Sequence, residues 1–197
     1  MRELLIATSN EMKFEEISHA LSGIPFTLLH LKDVGLENLD VEEPAETLEE
    51  NAVIKAKEYA TRSGKLSLAD DTGLEVDALG GRPGVRSARY APTAEERNKK
   101  LLEEMKDVPD GKRGAQFRGV IAIYDPASGA VRTCEGAFRG EILLHAKGER
   151  QFGYDPLFYI PEFGKTYAEL TLEEKNRISH RGKALAKARE ILLAEFI

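Results

Sequence analysis

Cysteine is nearly missing from this chain: Cys134 is the single thiol in 197 residues. One thiol forms no internal disulfide and supplies no zinc-ligand set. In a strand-like run, such a residue packs as a small buried apolar side chain. An excess of basic charge is missing too. Lys and Arg total 28 against 34 Asp and Glu, for a net charge of -6. That balance argues against a broad face for duplex DNA or RNA, but leaves room for a local phosphate site. No apolar stretch is long enough to span a bilayer, and Met1-Arg2-Glu3 runs straight into a strand-like segment without a secretory pattern. The default expectation is a cytoplasmic protein with no nucleic-acid or membrane partner. Familiar site signatures are absent as well. There is no G-x-x-x-x-G-K-[ST] loop, strand-linked G-x-G-x-x-G, H-E-x-x-H or G-x-S-x-G elbow.

What is present is a chain long enough to bury a core without covalent help, organised as one domain over 1–197 or two closely joined lobes. Residues 4–7 form a short apolar strand, broken by Thr8-Ser9-Asn10, which are helix N-cap types. Phe14, Ile17 and Leu21 follow at helical spacing, Gly23 stops that helix, and 26–29 reads as a second strand. Residues 32–46 are polar, acidic and loop-like. Thr47 with Glu50 predicts a capping box for a helix burying Leu48, Ala52, Ala56 and Tyr59. Asn51 and Lys55 share another face of it.

Residues 66–69 predict a short strand ending at Asp70-Asp71, and 80–84 a flexible turn or lid. A helix is expected over 95–105, followed by a loop over 109–114. Strands over 115–124 and 130–138 are joined as a hairpin, which 141–144 extends. A strand core lies at 157–159. Thr171 with Glu174 forms a second capping box, and Ser179 can cap the last helix, with Leu185, Ala188, Leu192 and Phe196 as its apolar stripe. The mix predicts an α/β fold with an antiparallel-rich middle.

Several clusters can carry chemistry. Thr8, Ser9, Asn10, Glu11, Met12 and Lys13 sit where a strand gives way to a helix, whose free N–H groups and positive dipole end suit a phosphate. The plainer reading is an ordinary cap followed by an exposed lysine. Asp70 and Asp71 adjoin at the end of an apolar strand, which is costly unless a cation neutralises them. Mg²⁺ with phosphate is a common reason for such a pair; turn chemistry at Asp-Thr-Gly is the alternative. Because strand neighbours point to opposite faces, the two aspartates are expected to do different jobs.

Among the acidic residues of the loop, Glu42 or Glu43 can complete a metal site with Asp71, the rest forming a solvated face. Lys55 can reach a phosphate or stay in solvent. Phe152, Gly153, Tyr154 and Asp155 follow Gln151 in a Gly/Pro-punctuated loop that can stack a base or merely anchor a turn. Lys175, His180 and Arg181, with Lys183, gather cations at a helix start, where an anion or base is favoured. His19, His30 and His145 have no such company.

Taken together these segments resemble the inosine triphosphate pyrophosphatase family, the XTP/dITP diphosphatases. The matching stretches are TSNEMK (8–13), ENAVIKA (50–56), LADDTGLEVDALGGRPGVRSARYA (68–91), FGYDPLF (152–158) and EEKNRISHRGKAL (173–185), in the family's order. Ser9 and Thr72 stand where many members have glycine and serine, and Arg150-Gln151 where a glycine pair is commoner.

The resemblance implies an α/β fold of two lobes around a long mixed β-sheet flanked by helices, with the substrate in the cleft between them, and usually a homodimer. It implies hydrolysis of ITP, dITP or XTP to the monophosphate and pyrophosphate. On that reading Thr8 to Lys13, Lys55, Thr72 and Lys175 hold the triphosphate. Mg²⁺ sits on Asp71 with Glu42 or Glu43, and Asp71 or its neighbour Asp70 accepts the water proton. Phe152 stacks on the base beside Gly153, Tyr154 and Asp155, while His180 and Arg181 read the 6-carbonyl. A pyrophosphatase for another modified nucleotide, or a non-catalytic nucleotide-binding protein, are the competing readings.

Overall fold

A computed structural model describes residues 1–149 and 152–197. The elements are β1 (Arg2–Ile6), α1 (Glu11–Ala20), β2 (Phe26–Leu29), α2 (Leu48–Ser63), β3 (Leu66–Val76), β4 (Pro83–Gly84), α3 (Ala94–Glu104), β5 (Gly114–Tyr124), β6 (Val131–Ile142), β7 (Phe158–Ile160), β8 (Lys165–Thr166), α4 (Leu172–Ile178) and α5 (His180–Glu195). The strands form one mixed sheet in the order β2-β1-β3-β5-β6-β7-β8, with β4 paired to β3. β1 runs parallel to β2 and β3; β4, β7 and β8 pair antiparallel with β3, β6 and β7 respectively. This is the mixed α/β sheet the sequence implies.

The chain divides into two compact units. The first comprises Met1–Asp71, Gly119–Gly136 and His180–Ile197. Its core gathers Leu4, Ile6, Ile17, Leu21, Phe26, Leu66, Leu68, Ile121, Ile123, Leu185, Ala188, Leu192 and Phe196. β1 is apolar without alternation because parallel strands lie on both sides of it and helices pack on it. Asn10 starts α1 by accepting the Lys13 N–H at 3.1 Å. Thr47 caps α2 through the Glu50 N–H at 3.2 Å, but the Glu50 carboxylate takes the Thr47 hydroxyl, not the backbone N–H a full box uses.

The second unit comprises Thr72–Arg118 and Ala137–Ser179. Its core is richer in aromatic rings: Phe117 and Phe158 lie 4.7 Å apart, and Phe158 and Tyr167 also 4.7 Å. Complete capping boxes open α3 at Thr93 with Glu96 and α4 at Thr171 with Glu174.

Four sequence expectations are corrected. The strand expected over 66–69 continues through both aspartates to Val76 as β3, so Asp70-Asp71-Thr72-Gly73 is extended chain and not a turn. The segment 80–84 is no free lid, because Pro83–Gly84 pairs with Glu75 and Leu74 as β4. The start of the acidic loop expected over 32–46 belongs to a 3-10 turn, Leu31–Val34, capped by His30. Cys134 in β6 is half-buried where full burial is expected; its Sγ lies 3.3 Å from the Ala184 carbonyl. Burial still pushes its thiol up to about 11, against the pull of Lys187. Alkylation by iodoacetamide at pH 8 should therefore run on the order of 100-fold slower than for a free cysteine, since only the thiolate reacts. A rate matching free cysteine would contradict that environment.

Candidate functional site

In the first unit, β1 delivers the chain to Thr8, whose N–H bonds back to the Ile6 carbonyl at 2.9 Å. Thr8 Oγ1 accepts the Asn10 N–H at 3.2 Å. The turn is thus shaped by its own polar side chains, leaving Ser9, Asn10, Glu11 and Met12 at the surface and Lys13 half-buried. Lys13 Nζ reaches Asp70 Oδ1 at 3.1 Å.

β3 turns its two aspartates to different partners, as strand alternation requires. Arg181, in the first turn of α5, donates to Asp70 Oδ2 from Nε at 3.2 Å and Nη2 at 3.0 Å. Its Nη1 donates to Glu16 Oε2 on α1 at 2.5 Å. Glu16, Asp70 and Arg181 are all buried, so Glu16–Arg181–Asp70–Lys13 forms a charge-compensated chain of two anions and two cations. Burial favours the neutral Asp70 carboxyl, but Lys13, Arg181 and Lys55 outweigh it and hold the group well below the usual carboxylate range. Burial likewise works against the Arg181 charge, and Asp70 with Glu16 more than offsets it.

Asp71 belongs to a second cluster. Lys55 Nζ, from α2, lies 2.6 Å from Glu43 Oε1, 3.5 Å from Asp71 Oδ1 and 2.6 Å from the Asp70 carbonyl oxygen. The Asp71 carboxyl is pushed up, first by burial and then by the neighbouring Glu43 and Asp70 charges, against the pull of Lys55 and Lys13. Glu43 is placed by Asn51, which is fully buried and clasps the loop: Ala45 N–H donates to its Oδ1 at 3.0 Å and its Nδ2 donates to the Ala45 carbonyl at 3.3 Å. Of the two loop glutamates, Glu42 is exposed and Glu43 is half-buried against Lys55.

In the second unit, the loop after the undescribed Arg150 and Gln151 carries Phe152, Gly153, Tyr154 and Asp155. Lys175, on α4, is buried, and its Nζ donates to Asp155 Oδ2 at 2.5 Å. The same ammonium lies 4.9 Å from the Phe152 ring centroid and 5.7 Å from that of Tyr167. A buried ammonium needs such a counter-ion and ring faces to offset desolvation. Tyr154 turns into the core, its hydroxyl donating to the Ser87 carbonyl at 2.9 Å, instead of presenting its ring to a ligand. Thr72 is half-buried at the start of this unit's share of β3.

The structure thus brings Lys13, Lys55, Asp70, Asp71, Glu43 and Arg181 together in the first unit, and Phe152, Asp155 and Lys175 together in the second. His180 is buried at the start of α5. Sequence reasoning missed Glu16, which occupies what looks like an ordinary helix position. It also missed Gly136. A side chain there would strike the His180 carbonyl oxygen and come within 2.7 Å of the Ala184 nitrogen, so only glycine lets β6 seat against the first turn of α5.

Comparison with known proteins bears on what these clusters serve. The Ham1 family model matches residues 4–191. The chain belongs to the Ham1 family. A dITP/XTP pyrophosphatase of Caldanaerobacter subterraneus is 46% identical over 98% of this chain and 97% of its own. One from Geobacter sulfurreducens is 48% identical over 98% and 97%. Among solved structures, a HAM1 protein from Coxiella burnetii superposes with a TM-score of 0.87 at 39% identity, covering 98% of this chain and 99% of that one. The Staphylococcus aureus Ham1 protein gives 0.85 at 36% identity, covering 98% and 100%. No helix among the described residues of this Ham1 member is long and apolar enough to cross a membrane.

Proposed function

We propose that this Ham1 protein hydrolyses non-standard purine nucleoside triphosphates, ITP, dITP and XTP, to the monophosphate and pyrophosphate. The observation that carries this reading is the division of the adjacent aspartates. Asp70 is held by Lys13 and Arg181, while Asp71 and Glu43 share the ammonium of Lys55. Lys13, Lys55 and the N–H groups at the start of α1 suit a polyphosphate.

Asp71 and Glu43 fit a hard divalent cation: both are oxygen donors, and together they already draw one positive charge to themselves. No group of three or more His, Cys, Asp or Glu side chains able to hold a metal occurs among the described residues. Mg²⁺ commonly takes one or two protein carboxylates, with phosphate oxygens and water completing its shell. Bound there, Mg²⁺ would neutralise phosphate charge and acidify the attacking water.

The chain's own residues do the rest. Lys13 and Lys55 hold the phosphates so that water lies in line with the α–β anhydride. Asp70 already receives hydrogen bonds from Lys13 and Arg181, so Asp71 accepts the proton as water adds to the α-phosphorus and the bond to pyrophosphate breaks. The lysines carry the leaving pyrophosphate's charge. Phe152, beside Lys175 and Asp155, offers a ring face for the base. Base choice rests on the 6-position: a donor that pairs with a 6-carbonyl is left unpaired by adenine's amine. The protein acts as a homodimer in this reading, which sedimentation equilibrium tests.

The reading is tested with a panel of triphosphates, pyrophosphate release and an EDTA control. ITP, dITP and XTP should exceed ATP by about 100-fold or more in kcat/KM, and EDTA should stop turnover. Equal rates on ATP, or full activity in EDTA, would contradict it.

A further inference from the structure

The loop holding Phe152 and Asp155 is fastened at its two middle residues. Asn98 Nδ2, on α3, donates to the Gly153 carbonyl at 3.1 Å. The Tyr154 hydroxyl donates to the Ser87 carbonyl at 2.9 Å. Both anchors are themselves held. Ser87 Oγ accepts the Leu74 N–H at 2.8 Å and donates to the Gly84 carbonyl at 2.6 Å, which locks the residue to β3 and β4. Arg97 Nη1 donates to the Ala88 and Ala91 carbonyls at 2.8 and 3.3 Å. Lys100 Nζ donates to the Tyr90 carbonyl at 3.1 Å and lies 4.1 Å from that ring's centroid. The segment 87–91 and α3 thus form one platform, with the Thr93–Glu96 box fixing where the helix begins.

Gly153 lies inside a turn that the Asp155 N–H closes on the Phe152 carbonyl at 2.9 Å. Its φ of +53 lies in the left-handed region and nothing would crowd a side chain there, so side-chain packing does not hold its peptide plane. Among the described residues, the only side chain that donates to that carbonyl is Asn98.

We propose that Asn98 is a positioning residue for substrate selection. By fixing the Gly153 carbonyl it sets the direction in which Phe152, one residue before, and Asp155, two residues after, are presented. Asp155 in turn places the Lys175 ammonium. This inference rests on the reading of the 152–155 loop as the base-binding element. Asn98 touches no substrate and acts through the loop, so its loss weakens nucleotide binding and base discrimination while leaving the phosphate chemistry of the first unit intact.

Asn98→Asp keeps the shape but sets an acceptor against the Gly153 carbonyl, and Asn98→Ala removes the group. For both, hydrogen–deuterium exchange in the 152–158 peptide should speed up while exchange in α1, α2 and α5 stays unchanged. KM for ITP should rise about 5- to 10-fold, the effect of one lost hydrogen bond. The kcat should stay within about twofold, and the ITP-to-ATP ratio of kcat/KM should narrow. Tyr154→Phe, which removes the second anchor and keeps the ring, should move the same quantities in the same direction and stands in if the Asn98 variants do not fold. Unchanged exchange in 152–158 would overturn the positioning role. Faster exchange with an unchanged KM and ITP-to-ATP ratio would show that Asn98 holds the loop but the loop does not read the base, which overturns the selection role together with the reading it rests on. A lowered Tm with exchange faster everywhere would mark Asn98 as merely structural and also overturn it.

Discussion

Replacing Asp71 by Asn should lower kcat for ITP by about 1,000-fold or more while leaving the fold intact. The substitution is nearly isosteric but removes the negative charge, the proton acceptor and one of the two proposed metal oxygens at once; loss of a general base alone typically costs 10²- to 10⁴-fold. The fold should survive because Lys55 is not stranded by the change: its ammonium keeps Glu43 at 2.6 Å and the Asp70 carbonyl at 2.6 Å. Asp71 is also the member of the pair whose charge burial and its acidic neighbours disfavour, so neutralising it relieves repulsion with Glu43. Stopped assays of pyrophosphate release, with thermal melts of the same samples, check both halves. Near-normal turnover in the folded variant would remove Asp71 from the mechanism.

The largest stability effect is expected at Arg181. Arg181→Met fills similar space but takes from the buried Glu16 and Asp70 carboxylates the guanidinium that bonds them both. Removing one partner of a buried ion network typically costs about 3–5 kcal/mol, because the remaining charges cannot regain water. The cost should fall when Glu16 is changed to Gln in the same chain, since one orphaned charge then disappears; a double-mutant cycle in urea measures that coupling. A loss under about 1 kcal/mol, the size of an exposed ion pair, would mean the network is not dry.

The readable parts of this protein are those fixed by neighbours in sequence. The Asn10 cap, the spacing of Phe14, Ile17 and Leu21, the Thr171–Glu174 box and the 125–130 hairpin all show because partners stand within a few residues. The aspartate pair reads from sequence as a candidate site at a strand end, whereas β3 runs through it to Val76. Asp-Thr-Gly favours a turn locally, but the charges that make an extended β3 tolerable come from Lys13 and Arg181, 57 and 111 residues away. The same distance hides Glu16, whose partner Arg181 lies 165 residues on. Arg181 itself reads from sequence as a ligand-facing cation; the fold buries it and spends its donors on two carboxylates. β4 and β8 are two residues each, too short to show a period. Asn98 left no signal at all, since a polar residue on an amphipathic helix is ordinary until its partner carbonyl is known.

We propose that the two adjacent aspartates divide the work, Asp71 binding the catalytic cation with Glu43 and Asp70 serving as the buried counter-ion of Lys13 and Arg181. Mn²⁺ titration followed by electron paramagnetic resonance, on the native protein and on the Asp70→Asn and Asp71→Asn variants below their unfolding temperatures, tests it most directly. Mn²⁺ affinity should be at least about 10-fold weaker in Asp71→Asn and nearly unchanged in Asp70→Asn, whose loss appears instead as a lower Tm. Native-like Mn²⁺ binding in folded Asp71→Asn, or an equal loss of binding in both variants, would contradict it.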